Sequence, residues 1–301
     1  ECPMKRDTKA FWSAFGLAFE SGIELPEMNQ VTGVPADIEI VPGKVPRHVE
    51  NAFYACPWYE AAENQFLIRV PGIASFHVEN GNRIVAEGSD GASSEDVRVF
   101  LLNTVLPALL LQRGMVALHG AAAVINGQGT AILGASQTGK TTLALALHDR
   151  GCKLLADEVL AVTLRDGKAV LLPGIHQLNV WADTLKGSGR DKTRYLPVRR
   201  SLEKYAVREA GMFYENPVPL SRVLILKRHN KADALRVSVT GAQKFSKLLQ
   251  NIPFADLFAK EPAFFKTCAE TARSALFLEV TDFQEAGRIN DLADSLVEGR
   301  I

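Results

Sequence analysis

Residues Gly134–Thr142 read GASQTGKTT. The stretch fits G-x-x-x-x-G-K-[ST], with Gly134 and Gly139 as the glycines and Lys140 and Thr141 after them. Each position has a physical reason. The glycines let the backbone turn so that successive N–H groups point inward at phosphate oxygens. The lysine reaches the β- and γ-phosphates, and the threonine hydroxyl binds Mg²⁺. The expected contacts to a bound nucleotide are therefore Gly134, Ala135, Ser136, Gln137, Thr138, Gly139, Lys140, Thr141 and Thr142.

The flanking sequence supports that reading. Thr130-Ala131-Ile132-Leu133 is a short apolar run suited to a buried strand, and TTLALALHDRG reads as a helix. Leu143, Ala144 and Leu147 fall on one face of it, and Gly151 is placed to end it. CKLLAD (152–157) then reads as the next strand. Strand, glycine-rich loop, helix and strand make a βαβ unit whose helix N-terminus is aimed at an anion.

Hairpin register and strand ends add further residues to the expected site. In AAAVINGQGTAIL, Asn126-Gly127 is the preferred two-residue hairpin turn, so Ile125 pairs with Gln128. Counting back in that register sets His119 beside Gly134, and a slip of one residue would turn its side chain away. The carboxyl ends of the strands in a βαβ unit open on the ligand side, where Asp157 and Glu158 are expected to end the strand after the loop helix. A carboxylate there serves phosphoryl transfer by accepting a hydroxyl proton or by holding Mg²⁺. Because adjacent strand residues face opposite ways, Asp157 is the expected catalytic group.

The chain has 301 residues, 34 basic and 34 acidic, for a formal net charge of zero. Nothing in that balance points to nucleic acid or a membrane surface. The longest apolar stretch, VFLLNTVLPALLL (99–111), is shorter than the roughly 20 residues a membrane helix needs. Cys2, Cys56, Cys152 and Cys268 are scattered without metal-ligand spacing. They are expected as free thiols in a reducing cytoplasm. The opening ECPMKRDTK carries no secretory signal pattern, and Glu1 is not expected to be the native start.

The first ninety residues look β-rich, with ADIEIV, QFLIRV and ASFHVENGNRIVAEG as strands. Ser93 or Ser94 is placed to cap a helix over 95–114 that Pro107 kinks. The expected organisation is a smaller β-rich N-terminal domain, residues 1–113, ending in a bridging helix. An α/β nucleotide-binding and phosphotransfer domain with a mixed sheet follows over 114–301. Between Lys186 and Arg208 eight basic residues, Arg200 among them, face only Asp191 and Glu203. The run serves either as a phosphate or acidic-substrate clamp or as a solvated face. Lys204 is the expected phosphate contact within it.

RGMVALHGAAAV, ILGASQTGKTTLALAL and GCKLLADE together resemble the kinase core of HPr kinase/phosphorylase, over about residues 113–160. The spacings from His119 to Lys140 and on to Asp157 match that family. The resemblance implies an ATP- and Mg²⁺-dependent serine kinase. Asp157 would be its proton acceptor, with His119 nearby, Lys140 on the phosphates and Thr141 on the metal. Glu158 stands where the family has a second Asp, as a further metal contact. The family's ring assemblies imply a homo-oligomer. Gln137 replaces the middle glycine of the family loop, and PGIHQLNVWAD (173–183) lacks the family's E-x-R-G-x-G segment. The β-rich N-terminal half and the PGIHQLNVWADTL stretch look like the HPr kinase-related proteins that include the lasso precursor peptide kinases. That likeness implies a peptide substrate phosphorylated at a C-terminal serine. An HPr-type or small-molecule hydroxyl kinase, a simple nucleotide hydrolase and a regulatory module that binds nucleotide without transfer stand as alternatives.

Overall fold

The structure is a computed structural model describing residues 9–199, 202–228, 236–281 and 286–301. Cys2, Arg200 and the start of the final helical stretch at 283–285 lie outside the described residues. The chain divides into two compact units, Glu1–Met115 with Phe254–Glu261, and Val116–Pro253 with Pro262–Ile301. Both are built on mixed sheets, giving an α/β architecture.

The first unit carries strands β1 (Ala10–Ala14), β2 (Leu17–Ser21), β3 (Asn29–Val31), β4 (Ile38–Pro42), β5 (Tyr54–Ala55), β6 (Tyr59–Ala62), β7 (Gln65–Val70), β8 (Ala74–Glu79) and β9 (Arg83–Gly88). They form one sheet in the order β3-β1-β2-β4-β9-β8-β7-β6-β5. Alternation drives its packing: Leu17, Phe19 and Ser21 of β2 are buried while the residues between them are partly exposed. Ser93 caps helix α1 (Ser94–Phe100) by accepting from the Asp96 N–H at 3.1 Å. The single kinked helix expected here is α1, a π-helical turn over Leu101–Val105, and α2 (Leu106–Gln112). Proline removes an N–H and crowds the carbonyl four residues back, so the helix widens just ahead of it. Pro107 itself sits in the first turn of α2, where the missing donor costs nothing.

The second unit opens with strands β10 (Val116–Ile125) and β11 (Gln128–Gly134), helix α3 (Lys140–His148) and strands β12 (Lys153–Arg165) and β13 (Lys168–Leu172). β14 (Leu178–Trp181), α4 (Ala182–Gly187), β15 (Leu196–Pro197), β16 (Lys204–Val207), β17 (Val218–Lys227) and β18 (Arg236–Val239) follow. The chain then forms α5 (Ala242–Leu249), α6 (Ala255–Phe258, in the first unit), α7 (Pro262–Ser274), β19 (Leu276–Thr281) and α8 (Ala286–Val297). The main sheet runs β11-β10-β12-β13-β17-β19-β18, and β17 also pairs in parallel with β11. Strands β11, β10, β12, β13 and β17 thus close on one another. A small sheet, β14-β16-β15, stands apart from it.

The hairpin takes the expected register, with Asn126 and Gly127 both at positive φ and Ile125 opposite Gln128. β10 is antiparallel to both β11 and β12. The strands flanking α3 therefore run the same way with β10 between them. The strand expected to end at Asp157 does not end there: β12 continues through Glu158 to Arg165. Helix α3 is apolar on nearly every side, with Leu143, Ala144, Leu145 and Leu147 buried. It lies inside a core shared with Ile132 of β11, Leu154 of β12, Leu224 of β17 and Leu292 of α8. That enclosure fixes the start of α3, and with it the loop from Gly134 to Gly139.

Candidate functional site

The loop's backbone is shaped by three positive φ angles, at Gly134 (138°), Gln137 (61°) and Gly139 (95°). Gly134 admits no side chain, because a Cβ there would come within 2.4 Å of the Leu226 carbonyl oxygen. Gln137 takes a left-handed conformation that glycine adopts at no cost. Ala135, Ser136 and Gln137 are exposed at the loop tip, while Thr138 is buried and donates to the Ala135 carbonyl at 2.9 Å. Lys140 folds beneath the tip, its Nζ donating to the carbonyls of Gly134 and Ala135 at 2.9 Å each. Burial holds the Lys140 ammonium below its ordinary pKa.

Under the loop, the Thr141 hydroxyl donates to Asp157 Oδ1 at 3.2 Å. The other oxygen, Oδ2, accepts from the Asn179 backbone N–H at 2.9 Å. Asp157 is only 5% exposed. Burial, reinforced by the neighbouring charge of Glu158, pushes its carboxyl up to about 7.

Glu158 resolves the problem that neighbouring strand residues face opposite ways. Its φ of 68° breaks the regular pleat inside β12. A non-glycine residue there costs on the order of 1–3 kcal/mol, a strain that clusters at functional sites. The twist lets both carboxylates serve one locus. Glu158 pairs with Lys204 of β16, and its Oε2 lies 3.8 Å from His119 Nδ1. Burial alone would push Glu158 up, but Lys204, then His119 and Lys140, outweigh it and hold the carboxyl low. Lys204 also lies over the Trp181 ring, 5.7 Å from its centroid. His119 is held below its ordinary pKa by burial and then by Lys140, which favours the neutral ring. The hairpin pairing runs to Gly120 opposite Leu133, one step short of His119 and Gly134.

The structure thus brings together Lys140, Thr141, Asp157, Glu158, His119 and Lys204. Thr142 turns elsewhere, its hydroxyl 3.3 Å from that of Thr184. Three members of the basic run, Arg190, Lys192 and Lys204, are held in ion pairs. Arg190 binds Asp149 and Glu209, Lys192 binds Glu203, and Arg208 donates to Gln177.

Two groups of site residues escape a reading of the sequence. Asn251 accepts from the Gly134 N–H through Oδ1 at 3.1 Å and from the His119 N–H through its carbonyl at 2.8 Å. Gln177 and Asn179 carry buried carboxamides joined at 2.7 Å, and Asn179 holds Asp157. Their one sequence signal is the Q-L-N-V alternation, which sets two polar residues on one face of a strand.

Among the described residues no group of three or more His, Cys, Asp and Glu stands where it could hold a metal alone. A magnesium ion here would need the Thr141 hydroxyl, a carboxylate and oxygens from its ligand, which is how a phosphate-bound metal is held. The glycine cradle, the buried lysine and the Thr141–Asp157 pair fit such a ligand. A cavity of about 1280 Å³ in the first unit, lined by Lys44, Arg47, His48, Glu60, Arg69 and Glu87 among others, contains none of these residues. There the Glu60 carboxylate is occupied by His48, Arg69 and the Val49 N–H. No helix among the described residues is long and apolar enough to cross a membrane.

No family model matches the chain, and no curated protein matches it. Among solved structures, the Hpr(Ser) kinase/phosphatase from Coxiella burnetii overlays with a TM-score of 0.34 and 14% identity, over 61% of this chain and 95% of that one. A TM-score of that size does not establish a shared fold.

Proposed function

We propose that this chain is an ATP- and Mg²⁺-dependent phosphotransferase that passes the γ-phosphoryl group to a hydroxyl. The acceptor is a peptide serine, with the C-terminal serine of a lasso precursor peptide as the leading candidate. The observation that carries the reading is the Thr141–Asp157 hydrogen bond at 3.2 Å beneath a glycine-rich loop that encloses Lys140. The resemblance of residues 113–160 to the HPr kinase core supports the same chemistry.

Bound Mg²⁺–ATP would supply an electrophilic phosphorus and divalent charge to offset the phosphates. The chain's own residues do the rest. Lys140 exchanges two loop carbonyls for phosphate oxygens, which its charge binds more strongly. The Thr141 hydroxyl would offer a lone pair to the metal while its proton, kept on Oγ1, stays directed at Asp157 Oδ1. Asp157 accepts the proton of the acceptor hydroxyl. A carboxyl that titrates near neutrality is a better base than an ordinary aspartate, because its pKa lies near the working pH. Lys204 keeps Glu158 ionised, and that fixed negative charge helps to hold the proton affinity of Asp157 high.

Gln137, with its side chain exposed at a left-handed position of the loop, favours a second reading in which nucleotide binds and no group is transferred. Intact-mass analysis separates the two. The full chain is incubated with Mg²⁺–ATP and with a lasso precursor, its C-terminal Ser→Ala variant, or HPr. A gain of about 80 Da on the precursor alone, lost with Asp157→Asn while nucleotide still binds, is the expected result. No gain on any acceptor with nucleotide bound would overturn the transfer reading.

A further inference from the structure

The site contains one side-chain donor, on a largely buried residue, that the chemistry above does not use. Arg208 donates to Gln177 Oε1 from Nε at 3.1 Å and from Nη2 at 2.5 Å. A guanidinium can only donate, so Gln177 must present its oxygen to Arg208 and its amide nitrogen the other way. Gln177 Nε2 accordingly donates to Asn179 Oδ1 at 2.7 Å. With Oδ1 so occupied, the Asn179 carboxamide can only turn its NH₂ outward. The orientation of both amides is thus set by the charge at the end of the chain.

That outward NH₂ has no partner among the described residues, although Asn179 is only 6% exposed. The fully enclosed, unpaired side-chain polar atoms of the described residues are Trp12 Nε1 and Glu27 Oε2. Asn179 Nδ2 is not one of them, so it opens onto accessible space. A donor on so enclosed a side chain that still meets accessible space is satisfied by water or by a ligand. Its position narrows what can satisfy it. The same residue's backbone N–H holds Asp157 Oδ2, and Asp157 Oδ1 holds Thr141, which directly follows the loop lysine. Asn179 therefore stands at the reacting end of the loop, one hydrogen bond beyond Asp157.

We infer that Asn179 Nδ2 is a hydrogen-bond donor to an oxygen of the terminal phosphoryl group, oriented for it by Gln177 and Arg208. The inference rests on the nucleotide reading above and adds to it a residue that distinguishes a nucleoside triphosphate from a diphosphate. As a donor without a charge or a removable proton, the amide contributes to recognition and charge dispersal, and proton transfer stays with Asp157.

The test is calorimetric titration of the full chain with Mg²⁺–β,γ-imido-ATP and, separately, with Mg²⁺–ADP. Asn179→Ala keeps the backbone N–H on Asp157 and removes only the carboxamide. A hydrogen bond to a charged acceptor is lost, so the analogue should weaken roughly ten- to a hundredfold while ADP changes less than about twofold. Gln177→Glu tests the orientation without touching Asn179. A glutamate still accepts from Arg208 but also accepts from the Asn179 NH₂, turning its carbonyl oxygen outward. It should cause the same selective loss, and it decides the question if Asn179→Ala fails to fold. An unchanged preference for the analogue over ADP in the variants, with the wild type binding both, overturns the inference and leaves nucleotide binding intact. Equal weakening of both nucleotides overturns it as well. A wild type that binds neither nucleotide overturns both readings.

Discussion

Replacing Gly134 with alanine should be far more damaging than the same change at Gly139. At Gly134 the new Cβ would lie 2.4 Å from the Leu226 carbonyl oxygen and 3.0 Å from Thr138 Oγ1. Leu226 is the residue paired with Gly134 where β11 and β17 run in parallel. Relief therefore requires two core strands to open by about 1 Å, because the obstacle is backbone. Overpacking of that kind costs roughly 1–3 kcal/mol. The φ of 138° adds a strain of about 1–3 kcal/mol for any residue with a side chain. The expected loss for Gly134→Ala is thus about 2–6 kcal/mol, a large share of a typical domain's stability. At Gly139 the φ is 95°, but the nearest obstacle is Ile289 Cδ1 at 3.4 Å, the movable end of a side chain. Only the backbone strain applies, so Gly139→Ala should lose about 1–3 kcal/mol. Urea unfolding followed by circular dichroism and fluorescence compares the two. A Gly134→Ala protein within about 1 kcal/mol of wild type, or one more stable than Gly139→Ala, would refute the reasoning.

Three further outcomes follow from the same geometry. Gln137→Gly removes left-handed strain at the loop tip and should leave stability equal or raise it by up to about 1 kcal/mol in thermal melts, with nucleotide affinity equal or tighter. Asp157 binds its proton more tightly folded than unfolded, so its contribution to stability is present below about pH 4 and is lost as pH rises through about 7. Asp157→Asn should accordingly gain stability relative to wild type between pH 4 and 8, by up to a few kcal/mol in denaturant titrations. The wild-type transfer rate should rise toward pH 7 as the base ionises. Lys204→Met strands the Glu158 carboxylate, whose side chain is 16% exposed. It should cost about 2 kcal/mol in urea, and Lys204→Met combined with Glu158→Gln should recover most of that loss.

The loop was legible because its constraints are local. Gly134 and Gly139 occupy backbone angles that their residue type announces, and Asn126-Gly127 fixes a hairpin register through two positive φ angles. Asp157 was legible as the acid following the loop helix. The end of its strand was not, because the break at Glu158 is a single left-handed residue inside a continuous ladder to β10. Neither Ala156-Asp157 before it nor Val159-Leu160 after it contains the glycine or proline that marks a turn. The partners of the basic run were hidden for a different reason. Its counter-charges Asp149, Glu158 and Glu209 lie outside residues 186–208 and reach the run only after folding. Asn179 and Asn251 depend wholly on tertiary placement. Asn179 lies 22 residues from Asp157 and Asn251 lies 117 from Gly134, separations that no periodicity or motif spans.

In the proposed function, Gly134–Thr142 holds the phosphates of a nucleotide. Titration of Mg²⁺–ATP into the full chain and into Lys140→Met tests it directly. Among the described residues Lys140 Nζ bonds the Gly134 and Ala135 carbonyls alone, and it is the cation that phosphate oxygens would meet in the loop. Saturable one-to-one binding to the wild type, weakened at least tenfold in the variant, is the expected result. A wild type that does not bind, or a variant that binds as tightly, would contradict it.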